Sequence, residues 1–193
     1  MNEEYTNMIK SVKEYGGFYV GRYETSLKTG VVGSKINETP MNADVGTETG
    51  SDNGNLWYGM YNKQDSNKNI RNPYYNSTTV VSSMIWGSQY DAMLNWALTG
   101  NEAYMVFERT GNHSGSVAKT GAYGSDIMNN IFDLSSNRYE YTQEGIYSNS
   151  RTSRGSVYNV NNVNSIKSRN NHVSTNVLSG TSSRLSLYIR TLN

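Results

Sequence analysis

The sequence predicts an α+β fold with mixed short strands, two helices and long loops, on three observations. Apolar residues recur at helical spacing in two places, near the start and after Ser88, whereas the later chain reads as short runs alternating at period two. Helices early and short strands late point to segregated layers, not to repeating βαβ units. Turn formers are abundant, with 18 Gly among 193 residues and many Asn and Ser, so strands should be short and loops long. At this length one core can be buried, and no shift in composition marks a second; residues 1–193 read as a single domain.

Residues 2 to 15 form the first helix: Tyr5, Met8, Ile9 and Val12 share a face and Gly16 is a natural stop. FYVGRYET follows as a strand, with Phe18, Val20 and Arg22 alternating against Tyr19 and Tyr23. From Lys28 to about Asn55 the chain is polar and carries the tight-turn pair Asn53-Gly54, which predicts a long surface excursion. LWYGMY, residues 56 to 61, fits a short strand or a helical turn equally well, and residues 62 to 79 return to loop.

The second helix is predicted to start at Ser88, whose hydroxyl caps the first turn while Asp91 completes a capping box. Tyr90, Met93, Leu94, Ala97 and Leu98 make its apolar stripe, and Gly100 supplies a left-handed end. Trp86 and Trp96 flank it and are expected to pack into the core, as large aromatics usually do. A strand in AYMVFE and a Gly-rich loop from Gly111 to Gly124 come next.

In NIFDLSSNRYEY, Asn130 to Tyr141, Ile131 and Phe132 read as a short buried strand and Asp133 to Asn137 as a turn; Tyr139 and Tyr141 then alternate with Arg138 and Glu140. Asp133 and Glu140 could face each other across that turn, in the hard-oxygen setting a calcium ion needs, or could simply bond backbone amides. From Gln143 to Gly180 apolar residues are sparse, so this segment needs support from a preformed scaffold. RLSLYIR closes the chain as a strand expected to lie beside FYVGRY, with Leu185, Leu187 and Ile189 alternating with polar residues.

Charge and cysteine content narrow the function. With 17 basic and 16 acidic residues interspersed, nothing marks a nucleic-acid footprint. No apolar run approaches a membrane span, and MNEEYTNMIK lacks the regions of a signal peptide, so export would use a phage-type route or a signal outside this chain. The absence of cysteine excludes disulfides, thiolate metal sites and cysteine catalysis. His113 and His172 sit in Gly- or Asn-rich surroundings without a nucleophile elbow, and the carboxylates Asp126 and Asp133 remain an acid/base pair only on paper. By contrast 16 Tyr, set among Ser, Gly and Asn, is the vocabulary of binding surfaces, because Tyr offers contact area with few rotors. Three glycosylation sequons, at Asn37, Asn76 and Asn112, would matter only in a eukaryotic secretory host.

GGFYVGRYET, SQYDAMLNWAL, NIFDLSSNRYEY, RGS at Arg154 to Ser156 and SRLSLYI together resemble the motif succession of formylglycine-generating-enzyme-type proteins. The resemblance implies a C-type-lectin-like fold and a structural calcium site on the side chains of Asp133 and Glu140 with the carbonyls of Ser136 and Arg138. It departs from the family at Ser136, where a Gly is usual, and at Ser182 and Ser183, where Gly-Phe precedes the Arg. The family's copper chemistry needs paired cysteines, and the corresponding Val157 to Arg169 contains none, so copper and the formylglycine reaction are excluded.

The chain is also similar to the retroelement-diversified variable proteins of phage tails and bacterial surfaces, which display changeable residues in their C-terminal part. That likeness implies a non-catalytic receptor- or ligand-binding domain displaying residues 143–180. The expected contacts are Tyr147, Asn149, Arg151, Tyr158, Asn159, Asn161, Asn162, Asn164, Asn170, Asn171, His172 and Asn176. The partner is expected to be a protein or glycan on a cell surface, and the setting a virion tail or a bacterial surface. Alternatives are a calcium-dependent lectin, although neither Pro40 nor Pro73 lies in a Glu-Pro-Asn sugar signature, and an enzyme of unrelated chemistry on the same scaffold.

Overall fold

The computed structural model describes residues 2–41, 56–99, 111–159, 166–174 and 180–191. In chain order the elements are α1 (Asn2–Tyr15), β1 (Tyr19–Val20), β2 (Thr25–Lys28), β3 (Val31–Ser34), α2 (Leu56–Gln64), β4 (Val80–Met84), α3 (Gly87–Leu98), β5 (Ile127–Met128), β6 (Ile131–Phe132), β7 (Tyr139–Tyr141), β8 (Ser150–Arg154), β9 (Arg169–Val173), β10 (Thr181–Ser183) and β11 (Leu185–Ile189). The fold is thus mixed α+β, with three helices and several small sheets. None of the described helices is long and apolar enough to cross a membrane.

Two sheets organise the chain. One has the order β1-β11-β4, all antiparallel, and the other β10-β7-β8-β9, in which β10 runs parallel to β7. A single residue, Arg184, separates β10 from β11, so the chain passes from one sheet to the other there. As expected, RLSLYIR forms a strand against FYVGRY, with Tyr19 opposite Leu187.

Three apolar clusters hold the helices to the rest of the fold. Met8 of α1 packs with Val81, Trp86 and Tyr188; Trp57, Met60 and Tyr61 of α2 pack with Met41, Met84 and Tyr141. Tyr90, Met93, Leu94, Ala97 and Leu98 of α3 meet Ile85, Met128, Ile131, Leu134 and Ile166, as the apolar stripe predicts. Each fully buried side chain of Leu, Ile or Met size contributes roughly 1.5–3 kcal/mol. Gly16, at φ 81, ends α1 by donating its N–H to the Val12 carbonyl at 2.9 Å.

Several elements differ from the sequence expectation. FYVGRYET is not one strand: after Val20, Gly21 still donates to Leu185 O, but the Arg22 carbonyl accepts from Phe132, so the chain leaves the first sheet for β6. The presumed excursion after Lys28 opens with a hairpin of β2 and β3, turned by Thr29 and Gly30 at positive φ. LWYGMY is helical. Val80–Met84, which carries no expectation, is the second neighbour of β11. Helix α3 begins at Gly87, where Gln89 Oε1 accepts the Trp86 N–H at 3.0 Å; Ser88 is not its cap, and Asp91 is turned to arginines instead. Trp86 is buried as expected, whereas Trp96 is 56% exposed. Asn53-Gly54, Gly100 and AYMVFE lie outside the described residues.

Candidate functional site

The Asp133–Asn137 turn is built from backbone-bonding side chains, as its composition predicts. Asp133 and Asn137 both hold positive φ, at 64° and 66°. Asp133 Oδ2 accepts the Gly121 N–H at 2.8 Å, and Asp126 accepts from the Ser135 amide and from Ser136 Oγ, the latter at 2.6 Å. Asn137 joins four segments: its Nδ2 donates to Glu24, its Oδ1 accepts from Asn112 Nδ2 at 3.0 Å and Ala118 N–H at 2.9 Å, and its carbonyl accepts the Tyr158 N–H. Glu140 lies against Arg184, whose guanidinium also donates to the carbonyls of Gly21 and Phe132, each at 2.8 Å.

Four buried carboxyl groups, on Glu24, Asp126, Asp133 and Glu140, lie within the field of the Arg184 guanidinium, which contacts Glu140 directly. Burial pushes Asp133 up to about 7, raises Asp126 and lifts Glu24 well above the usual carboxylate range; neighbouring acids reinforce the shift at Glu24 and Asp133. Burial opposes charge on Arg184 too, but Glu140 in direct contact outweighs it and the guanidinium stays charged. These residues do not fit a calcium ion as they are placed. Of the two expected side-chain ligands, Glu140 has both oxygens on Arg184 and Asp133 Oδ2 is bonded to the Gly121 amide. Among the described residues no group of three or more His, Cys, Asp or Glu side chains could hold a metal.

The Gln143–Gly180 segment gains its support from a hairpin. Strand β8 is buried along its whole length between β7 and β9, and β9 is the edge strand. Asn171 Oδ1 accepts from Thr152 Oγ1 at 2.9 Å, and His172 Nε2 lies 3.0 Å from Ser153 Oγ with the ring edge-on to Tyr141; burial lowers its pKa. Two cations and two anions fasten the hairpin to α3: Arg154 and Arg169 both meet Asp91, at 2.6 and 2.8 Å, and both approach Glu144. Gly87 leaves room for this, because a Cβ there would fall 2.3 Å from Glu144 Oε2.

The candidate contacts divide into groups. Tyr147 is 72% exposed on a turn closed by two bonds to Ser150, the N–H of Tyr147 to Ser150 Oγ and the N–H of Ser150 to the Tyr147 carbonyl. The Asn149 carbonyl accepts from Ser174, which brings this turn to the end of β9 with Asn170, Asn171 and His172. Arg151 faces inward, its guanidinium 4.2 Å from the Trp57 ring centroid and Nη1 bonded to Ser150 O. Tyr158 and Asn159 sit apart, the backbone of Tyr158 bonded to Gly115 and Asn137. Asn161, Asn162, Asn164 and Asn176 lie outside the described residues.

Two further residues join this surface. Ile146 is 58% and Val173 41% exposed. Exposed apolar side chains next to Tyr147 in so polar a segment were a usable signal. Tyr147 and Ser148 also border a cleft of about 420 Å³ together with Tyr5, Trp86, Glu144 and Arg151. Tyr5 comes from α1, far away in sequence, and no local pattern links it to residue 147.

No family model and no curated protein matches the sequence. The fold does resemble solved structures. One is Treponema denticola variable protein 1, a diversity-generating-retroelement variable protein, with a TM-score of 0.41 and 11% identity over 57% of this chain; the chain spans about half, 48%, of that protein. Another is the crystal structure of CarF, with a TM-score of 0.52 and 13% identity over 91% of this chain and 87% of that one. The CarF likeness concerns the fold alone, which is C-type-lectin-like.

Proposed function

We propose that this chain is a non-catalytic ligand-binding domain of the formylglycine-generating-enzyme subclass of the C-type-lectin-like fold, and a retroelement-diversified variable protein. Its contact surface is the turn at 145–149 together with the edge strand β9. The observation that carries this reading is the pairing of exposed Ile146 and Tyr147 with a turn locked by bonds to Ser150 and Ser174 beside a cleft of about 420 Å³. A large side chain already held in place loses little entropy on binding, and interface energy concentrates in such anchors. Asn149 and Asn171 around it supply adaptable hydrogen bonding. The carboxylates that an enzyme of this scaffold would need are sealed under the surface and bonded to amides or to Arg184. A protein or glycan on a cell surface is the proposed partner, and a phage tail or a bacterial surface the proposed setting.

The test is binding of labelled protein to intact bacterial cells and to a glycan array, the latter with calcium and with chelator. Changing Ile146→Ser and Tyr147→Ala together should weaken binding at least about tenfold while leaving the melting temperature unchanged. Undiminished binding by that variant overturns the assignment, and sugar binding lost only in chelator would move the reading to a lectin. A reverse transcriptase gene beside a near-copy of the 3′ end of the coding DNA would establish diversification.

A further inference from the structure

Helix α3 borders a second cleft, outside that face. Its apolar stripe at 90, 93, 94, 97 and 98 leaves position 96 on another side, and Trp96 stands 56% exposed between buried Met93 and Ala97. The indole borders a cleft of about 530 Å³ over Phe18, Met93 and Ile131, within the size range of small-molecule sites. Its walls are fixed. Asn129 and Asn130, at φ 46° and 67°, form the two-residue turn between β5 and β6, and Asn129 Nδ2 donates to the Trp96 carbonyl at 2.9 Å. The neighbouring Arg22 is held through its carbonyl by the Phe132 N–H at 2.9 Å.

Arg22 is the one charged side chain among the described residues that line this cleft, and no carboxylate opposes it. It forms no ion pair or side-chain hydrogen bond among the described residues, unlike Arg154, Arg169, Arg184 and Arg190. A free guanidinium offers a planar fork to a carboxylate, and an exposed indole offers its face to an apolar body. We infer that this cleft binds a small carboxylate with an apolar alkyl or aryl body, the carboxylate on Arg22 and the body against Trp96 and Met93. The site uses none of the residues of the 145–149 surface, and its test is independent of that reading.

Octanoate and octanamide are suitable probes, since they share a chain and differ in charge. Trp57 and Trp86 are buried, at 1% and 7% exposure, so the water-relaxed part of the tryptophan emission belongs to Trp96. Octanoate should shift this emission to the blue in a saturable way at concentrations up to ~10 mM, and octanamide should bind about tenfold more weakly. Arg22→Gln keeps the reporter and should weaken octanoate to the level of octanamide; Trp96→Phe should abolish the shift. No saturable shift, equal binding of the two probes, or undiminished octanoate binding by Arg22→Gln each overturns the proposal.

Discussion

Arg184 holds both carboxylate oxygens of Glu140, its Nε 2.9 Å from Oε2 and 3.1 Å from Oε1, and neither side chain is more than 1% exposed. Because Arg184 is the residue at which the chain passes from β10 to β11, this pair fastens the crossing between sheets onto β7. Removing one partner leaves a buried charge uncompensated, which costs about 3–5 kcal/mol. Arg184→Met and Glu140→Leu are each expected to lose that much in urea unfolding. The double variant should lose much less than the sum, keeping only the cost of the carbonyls of Gly21 and Phe132 that Arg184 no longer serves. Strictly additive losses would show that the two side chains do not act as a pair.

The buried acids, Glu140 included, make stability depend on pH in the direction opposite to a carboxylate whose pKa is lowered on folding. Asp133 is pushed by burial to about 7 in the folded chain, whereas an Asp in the unfolded chain titrates near ~4. Between those values the folded state holds a proton that the unfolded state has released, so stability falls as pH rises. The contribution is fully present below the lower value and lost above the upper one. Glu24 and Asp126, also raised by burial, act with the same sign. The melting temperature should therefore decline between pH ~4 and pH ~7. Asp133→Asn, which can still accept the Gly121 N–H, should flatten the decline; a profile that rises through this window would contradict it.

Calcium is expected to add little. Arg184 already supplies the cation that Glu140 faces, and a bound ion would have to displace it. Melting temperatures in ~5 mM calcium and in chelator should agree within about a degree, because an ion that does not bind the native state cannot stabilise it. A rise of several degrees would instead show that Asp133 and the carbonyls of Ser136 and Arg138 form a cage after rearrangement.

Helices α1 and α3 were legible because their apolar residues recur at one period over many positions, so a chance match is improbable. Strand β11 was legible for the same reason at period two, whereas of FYVGRYET only Tyr19–Val20 forms a strand. Two-residue strands such as β5, and the polar strands β8 and β9, carry no such pattern: SRTSR is buried on both faces, and its neighbours are polar too. There burial follows from position in the sheet and not from hydrophobicity. The pairing of Glu140 with Arg184 spans 44 residues, and Tyr5 joins Tyr147 at a cleft only through folding, so neither could be read locally. What the residue types did reveal was the turn at Asp133 to Asn137, since Asp and Asn tolerate positive φ and bond nearby amides.

Asn137 separates the backbone from the side chain in that turn. Its φ of 66° suits Gly and strains Ala, whereas its amide group satisfies the buried Glu24 and Asn112 and the half-buried Ala118. Asn137→Gly keeps the conformation and the carbonyl that anchors Tyr158, but strands three polar groups, a loss of about 2–4 kcal/mol. Asn137→Ala should lose about 1 kcal/mol more, since its Cβ penalises the left-handed region. Urea midpoints of the two variants measure the difference directly. Both should still bind through Tyr147, whose turn is held by Ser150 and Ser174 without Asn137. Loss of binding in the folded Asn137→Gly variant would mean that the turn positions the contact surface as well as stabilising the fold.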